Sequence, residues 1–271
     1  MDDIHEKLER LKDYLRSLES VVVAFSGGVD STFLLRVCHE VLKDKCVAAT
    51  VMSRLVPKSE LESASAFCAS LGVRHDIITV GDDYIEPFKY NPKNRCYLCK
   101  NATFQKLLSL AHDLGFKCVA EGSNMDDLGD YRPGLQAVAE LGIESPLRKA
   151  RLTKSEIRAL SKELGLPTWK KPAMACLASR FVYGEEISPK KLEMVEKAEA
   201  LLYKLGLSQL RVRLHGDMAR IEALPEEFPL IINNSDIVTS EFRRLGFSYT
   251  TLDLRGYRTG SMNETLFKAN A

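Results

Sequence analysis

Apolar residues recur along this chain in a repeating strand and helix rhythm that changes near Ser188. Ile4, Leu8, Leu11, Leu15 and Leu18 fall at helical spacing and predict an amphipathic helix over residues 3–18. The run Val21-Val22-Val23-Ala24-Phe25 predicts a strand, and Thr32–Val37 a helix after the interruption Ser26-Gly27-Gly28-Val29-Asp30-Ser31. The alternation continues with a buried strand over Cys46–Val51, a helix over Lys58–Leu71, a strand over Arg74–Val80, a helix over Leu98–Leu114 and a strand over Lys117–Glu121. Such spacing predicts an α/β fold built on a doubly wound parallel sheet. A further helix over Leu152–Leu164 opens on a capping box, Thr153 with Glu156, and stops at Gly165-Leu166-Pro167.

From Ser188 the order becomes helix, two short strands, helix, strand. Gln209–His215 and Met218–Ala223 flank the turn His215-Gly216-Asp217 and predict an antiparallel hairpin in a smaller α/β domain. The expected division is a nucleotide domain over 1–183 and a companion over 184–271. Between the two patterns, Trp169–Arg180 has no clean period and is too rich in special residues for a linker, so it reads as a second functional loop. The last ten or so residues carry too little pattern to assign.

Charge narrows the partners. Lys plus Arg number 38 against 37 Asp plus Glu, a net charge of +1, so no global basic field draws the chain to nucleic acid or an anionic membrane. No apolar run reaches the length of a membrane span and the acidic start differs from a secretory signal, so a cytoplasmic location is expected. Seven cysteines, an odd number in an α/β chain, argue against a disulfide framework.

In doubly wound sheets ligands bind beyond the carboxyl ends of the strands, where the loops beginning at Ser26, Met52, Gly81 and Gly122 meet. Gly27 and Gly28 remove Cβ atoms that would hold a ligand off the backbone, and the following helix offers free N–H groups and a positive dipole end. An anion fits there, with Ser26 and Ser31 as hydroxyl donors and Asp30 as a ligand for a magnesium ion on bound phosphate. The Gly-Lys-Ser/Thr ending of a γ-phosphate hydrolase loop is absent. A plain strand-to-helix turn is the competing reading. Gly122, ahead of Ser123-Asn124 and Asp126-Asp127, is expected at the adenine or ribose; a solvated polar turn is the alternative.

Cys38, Cys46 and Cys68 sit in apolar elements and read as core. Cys96 and Cys99 open a helix beside Arg95 and Lys100, a setting that lowers thiol pKa; zinc, a redox pair, an iron–sulfur site and chance all remain open. Cys176 lies in the second loop, and a sheet that brings it beside the other two would give three thiolates facing one space. Three thiolates can hold a 4Fe-4S cluster with one iron open; zinc completed by water, or an ordinary buried thiol at Cys176, are the rivals. Arg211 and Arg213 alternate in a predicted strand and share a face, a fork suited to the phosphate of a mononucleotide. An exposed face paired with Glu222 or Asp217 is the other possibility.

SGGVDS resembles the pyrophosphate loop of the PP-loop ATP pyrophosphatases, with their adenine nucleotide α-hydrolase-like fold. Together with GDYRPG at 129–134, CLASRF at 176–181, RVRLH at 211–215 and TLDLRGYRTGSMN at 251–263, it makes nearly the whole chain resemble the LarE family of ATP-dependent sulfur transferases. The resemblance implies ATP and magnesium, adenylylation of a carboxylate of pyridinium-3,5-biscarboxylic acid mononucleotide, attack by sulfur and release of AMP, a step toward the nickel-pincer cofactor of lactate racemase. It implies Ser179, Arg180, Arg211 and Arg213 as the substrate-binding set. Many members surrender the sulfur of the cysteine matching Cys176. This chain departs from them in having Cys96 and Cys99, and so resembles the three-cysteine members, in which Cys176 is a ligand of a 4Fe-4S cluster carrying an extra sulfide from a sulfur donor. A homo-oligomer, trimer or hexamer, built through the smaller domain is also implied. The rival readings are a tRNA thiolase of the same superfamily and a non-catalytic ATP-binding regulator stapled by zinc.

Overall fold

The computed structural model describes residues 3–129, 133–172, 175–258 and 260–263. Helix α1 (Ile4–Ser17) starts where the Asp3 side chain accepts the His5 N–H and Glu6 reaches back to the Asp3 N–H, and it buries Leu8, Leu11 and Leu15. Strand β1 (Val21–Ala24) leads into α2 (Val29–Leu42); β2 (Cys46–Met52), α3 (Lys58–Leu71), β3 (His75–Thr79), α4 (Arg95–Asp113) and β4 (Cys118–Ala120) follow. The four strands are parallel in the order β3-β2-β1-β4, with Val22 in register with Val47 on one side and Val119 on the other. Pleating sends Val21 and Val23 into a core with Leu11, Phe33 and Ile157, while Val22 packs with Phe104 and Leu107. Both faces are covered by helices, which explains why these strands read as unbroken apolar runs.

Helices α5 (Gly134–Glu140) and α6 (Pro146–Lys149) are too short to show a period in the sequence. The box of α7 (Lys154–Glu163) forms as expected, the Thr153 N–H donating to Glu156 Oε2 at 2.8 Å. Beyond it, α8 (Pro189–Lys204) is capped by Ser188 and precedes the antiparallel hairpin of β5 (Leu210–His215) and β6 (Met218–Ala223). Where one helix was expected there are two, α9 (Phe228–Asn233) and α10 (Ser235–Leu245), before β7 (Tyr249–Leu252) pairs in parallel with β6.

The chain divides into two units, Met1–Pro87 with Asn94–Met174 and Phe88–Lys93 with Ala175–Ala271. The division falls earlier than the change of rhythm at 183/184, because the 88–93 segment captures the stretch after Cys176. Asn91 Nδ2 donates to the carbonyls of Phe181 and Val182, both at 2.8 Å, and the Ile187 N–H to the Lys89 carbonyl at 2.7 Å. Cys176, Ser179 and Arg180 thus belong to the second unit. Among the described residues no helix is long and apolar enough to cross a membrane.

Candidate active site

The SGGVDS turn begins while Phe25 is still bonded to the sheet, its N–H donating to the Ala49 carbonyl at 2.8 Å. Gly27 then takes φ +68°, the left-handed region, and a Cβ there would stand 3.3 Å from the Ala64 Cβ of α3. Gly28 caps α2, whose first bond runs from the Thr32 N–H to the Gly28 carbonyl at 2.9 Å. The N–H groups of residues 29–31 therefore precede the helical ladder at its positive end. Ser31 Oγ lies 3.1 Å from Ser26 Oγ and donates to the Gly28 carbonyl at 3.2 Å, gathering both hydroxyls into the turn. This is the geometry of an anion cradle.

Asp30 stands at its side, ion-paired with Lys154 of α7 and accepting from Asn124 Nδ2 at 3.4 Å. Burial raises the Asp30 pKa despite Lys154 and Asn124, and Asp127 pushes the same way. A partly buried carboxylate already facing one cation, with a second carboxylate near, is a donor set that suits magnesium. Residues 121–127 are not a solvated turn: Glu121, Ser123, Asn124 and Asp127 are buried, and Asp127 Oδ2 accepts the Asn124 N–H at 2.9 Å. A Cβ on Gly122 would lie 3.1 Å from Ser31 N and 3.3 Å from Asp30 Cβ, so its bareness lets this loop close on the cradle.

Sequence reasoning missed two lysines. Lys154 reaches Asp30 across 124 residues, and Lys171 Nζ donates to the Gly27 carbonyl at 3.1 Å and to Glu60 Oε2 at 2.6 Å. Arg158 steadies the second, donating to the carbonyls of Trp169 and Lys171. No short motif marks either lysine; the only local signal is the position of Lys154 at the start of a capped helix.

All seven cysteines are free. Cys38, Cys46 and Cys68 are core as expected, and burial pushes the Cys68 thiol up to about 12. Cys96 and Cys99 share the first turn of α4, three residues apart and so on one face. Arg95 Nη2 lies 3.7 Å from the exposed Cys96 Sγ, and Tyr84 Oη 3.5 Å from Cys99 Sγ. Cys176 is exposed, which removes its reading as an ordinary buried thiol. Among the described residues no group of three or more His, Cys, Asp or Glu side chains is gathered in a way that could hold a metal ion.

In the second unit the structure draws Ser179, Arg180, Arg211 and Arg213 together, but not as an outward fork. Arg213 donates from Nε to Glu222 Oε2 at 3.0 Å, from Nη1 to the Ser179 carbonyl at 2.6 Å and from Nη2 to Ser261 Oγ at 2.8 Å. The Arg211 guanidinium lies 5.4 Å from the Tyr257 ring centre, its pKa lowered by burial and by Arg180. Arg180 is 1% exposed and every guanidinium nitrogen donates to the protein: to both oxygens of Glu199, to the carbonyls of Ala175 and Cys176, and to Ser179 Oγ. Glu199 also accepts the Val212 N–H at 3.0 Å and so ties the Cys176 loop to β5. Of these acids, sequence reasoning had named Glu222 as a possible partner but not Glu199. Asp130–Arg132 of the GDYRPG stretch, Ala173 and Met174 of the second loop and Thr259 of the 251–263 stretch lie outside the described residues.

Comparison with known proteins bears on this geometry. The NAD synthase family profile matches residues 4–102, a span that contains the cradle. A pyridinium-3,5-bisthiocarboxylic acid mononucleotide synthase of Lactiplantibacillus plantarum is 40% identical over 263 residues, covering 94% of this chain and 93% of that protein. The chain belongs to the LarE family. An uncharacterized protein of Synechocystis sp. is 42% identical over 267 residues, 98% of this chain and 100% of its own length. More distantly, a glutamine-hydrolyzing GMP synthase component of Methanocaldococcus jannaschii is 26% identical over 213 residues, 73% of this chain and 67% of that one. The family uses ATP on a PP-loop α/β domain, as the resemblance of the chain to the PP-loop ATP pyrophosphatases implied.

Proposed function

We propose that this LarE-family chain is an ATP-dependent sulfur transferase that converts pyridinium-3,5-biscarboxylic acid mononucleotide to its thiocarboxylic form. A substrate carboxylate oxygen attacks the α-phosphorus of ATP, the α–β bond breaks, and pyrophosphate leaves. A sulfur nucleophile then attacks the acyl carbon, and AMP departs with the original oxygen. The observation that carries this reading is the cradle: two hydroxyls, a left-handed glycine and a helix N-terminus around one turn, with Asp30 at its edge.

Ser26, Gly27, Gly28 and Ser31 hold the β,γ-pyrophosphate, Asp30 holds magnesium, and the backbone at Gly122 meets the adenine or ribose. Arg211 and Arg213, with Ser179, bind the substrate phosphate; Arg180 belongs to the same set and also shapes the loop that presents Ser179. Free thiols at Cys96, Cys99 and Cys176 fit a 4Fe-4S cluster by donor chemistry, two on one helical face beside Arg95 and one exposed in a loop held by Arg180. When bound, that cluster supplies replaceable sulfide from a sulfur donor. The exposed side chains of Ile232, Ile237, Tyr249 and Leu254, all in the second unit, support a homo-oligomer assembled through it. The net charge of +1 favours a small mononucleotide over tRNA.

ATP–pyrophosphate exchange driven by the pyridinium biscarboxylate mononucleotide tests the reading. Exchange should occur in the wild type and collapse in Asp30→Ala and Ser31→Ala, with folding intact. Normal exchange in both variants rejects the cradle assignment, and salt-dependent tRNA binding in place of exchange favours the RNA thiolase.

A further inference from the structure

The arginine network of the second unit has an exposed end. Arg211, buried on β5, donates from Nη1 to the Leu210 carbonyl at 2.7 Å and lies against the Tyr257 ring. It also hydrogen-bonds the Tyr203 hydroxyl of α8. A guanidinium can only donate, so the phenol oxygen accepts and the phenol keeps its own proton for another acceptor. Burial and the Glu199 carboxylate raise the Tyr203 pKa, which holds that proton in place at neutral pH. Tyr203 is 36% exposed, whereas Arg180, Arg211 and Arg213 are all buried. Charge favours an anion at this face. Burial and, after it, Arg180 lower the Arg211 pKa, so the two guanidiniums repel each other, and an anion drawn to them relieves that repulsion.

We infer that Tyr203 is a further ligand of the substrate phosphate, giving its phenol proton to a phosphate oxygen while Arg211 holds the phenol oxygen. The inference rests on the mononucleotide substrate proposed above. Phosphate oxygens accept hydrogen bonds, and the Tyr203 hydroxyl joins the buried Arg211 to solvent. A charged acceptor strengthens the bond it receives, and the Arg211 charge behind the phenol polarises the O–H further. Tyr203 therefore favours a phosphorylated substrate over the same nucleoside without its phosphate.

The test is calorimetric titration of the full-length wild type, Tyr203→Phe, Arg211→Ala and the double variant. The ligands are the pyridinium biscarboxylate mononucleotide and the corresponding nucleoside, which keeps the carboxylates and lacks the phosphate. Tyr203→Phe removes the hydroxyl and keeps the ring. It should bind the mononucleotide about tenfold more weakly, the effect of one lost hydrogen bond to a charged group, and the nucleoside within about twofold of the wild type. In the Arg211→Ala background Tyr203→Phe should still cost about threefold or more, because the contact is direct. Equal weakening of both ligands would place Tyr203 at the pyridinium carboxylates, and no further loss in Arg211→Ala would make it a prop for Arg211; either result refutes the phosphate contact. If the wild type prefers the mononucleotide and Tyr203→Phe binds it normally, the contact is refuted and the proposed function stands. A wild type that binds neither ligand removes the proposed substrate and the contact together.

Discussion

Replacing Arg180 by alanine should unsettle the second unit before it affects any ligand. The guanidinium is 1% exposed and its Nε and Nη2 atoms grip both oxygens of Glu199 at 2.9 and 2.8 Å, while Nη1 gathers the carbonyls around Cys176. Alanine leaves the Glu199 carboxylate buried with the Val212 N–H as its remaining bond in that group. Breaking a buried ion pair from one side costs about 3–5 kcal/mol, because an uncompensated charge remains in a medium of low dielectric. For a unit of this size the loss lowers the melting temperature by roughly 10 °C or more. Removing both charges, in Arg180→Met with Glu199→Met, should cost less than the sum of the single losses, since neither variant charge is then stranded. Thermal melts followed by circular dichroism, with amide exchange read on the peptide spanning residues 175–180, measure both effects. An Arg180→Ala protein that melts like the wild type and only loses substrate affinity would refute the clamp and leave Arg180 as a plain substrate contact.

Arg211→Ala should weaken substrate binding about tenfold or more with little change in ATP affinity, as charge-assisted bonds contribute about 1.5–3 kcal/mol; equal weakening of ATP places it at the wrong ligand. Arg213→Ala should also melt lower, because it removes one of the two arginines, Arg213 and Arg220, paired with the fully buried Glu222, so calorimetry separates Arg211 from Arg213. Gly122→Ala sets a Cβ 3.1 Å from Ser31 N and should slow AMP formation by about tenfold through misplacement of the cradle; unchanged turnover would show that the loop yields freely. With excess sulfide, ATP and magnesium, reconstituted protein should make more than one sulfur-bearing product per chain and keep the intact mass of Cys176, whereas serine at Cys96, Cys99 or Cys176 should abolish this turnover. Loss of hydrogen sulfide from Cys176 once per chain, with Cys96 and Cys99 dispensable, would establish the sacrificial route instead. His75, held by Thr50 and Ser65, has its pKa lowered from 6.5 by burial, so the unfolded chain takes up this proton first as pH falls. Stability from this site is complete above about pH 6.5 and declines below it; His75→Gln should flatten that slope in denaturant titrations.

Elements whose signal is local were legible in the chain alone. The apolar runs of β1 and β2, the cap at Thr153, the hairpin turn at Gly216 and the anion-binding turn at Ser26–Ser31 each depend on residues a few positions apart. Periodicity and capping are short-range physics, and a glycine turn ahead of a helix carries its chemistry in its own backbone. Two short helices, α5 and α6, escaped because fewer than three turns show no period. The electrostatic partners escaped for a different reason: Lys154 meets Asp30 across 124 residues, and Arg213 meets Ser261 across 48. Which charges pair is set by strand order and by how α7 packs, not by any local motif. The clamp that Arg180 makes on the Cys176 loop escaped for the same reason, since its partner Glu199 lies 19 residues away and a buried guanidinium finds its acceptors through folding rather than through a local motif.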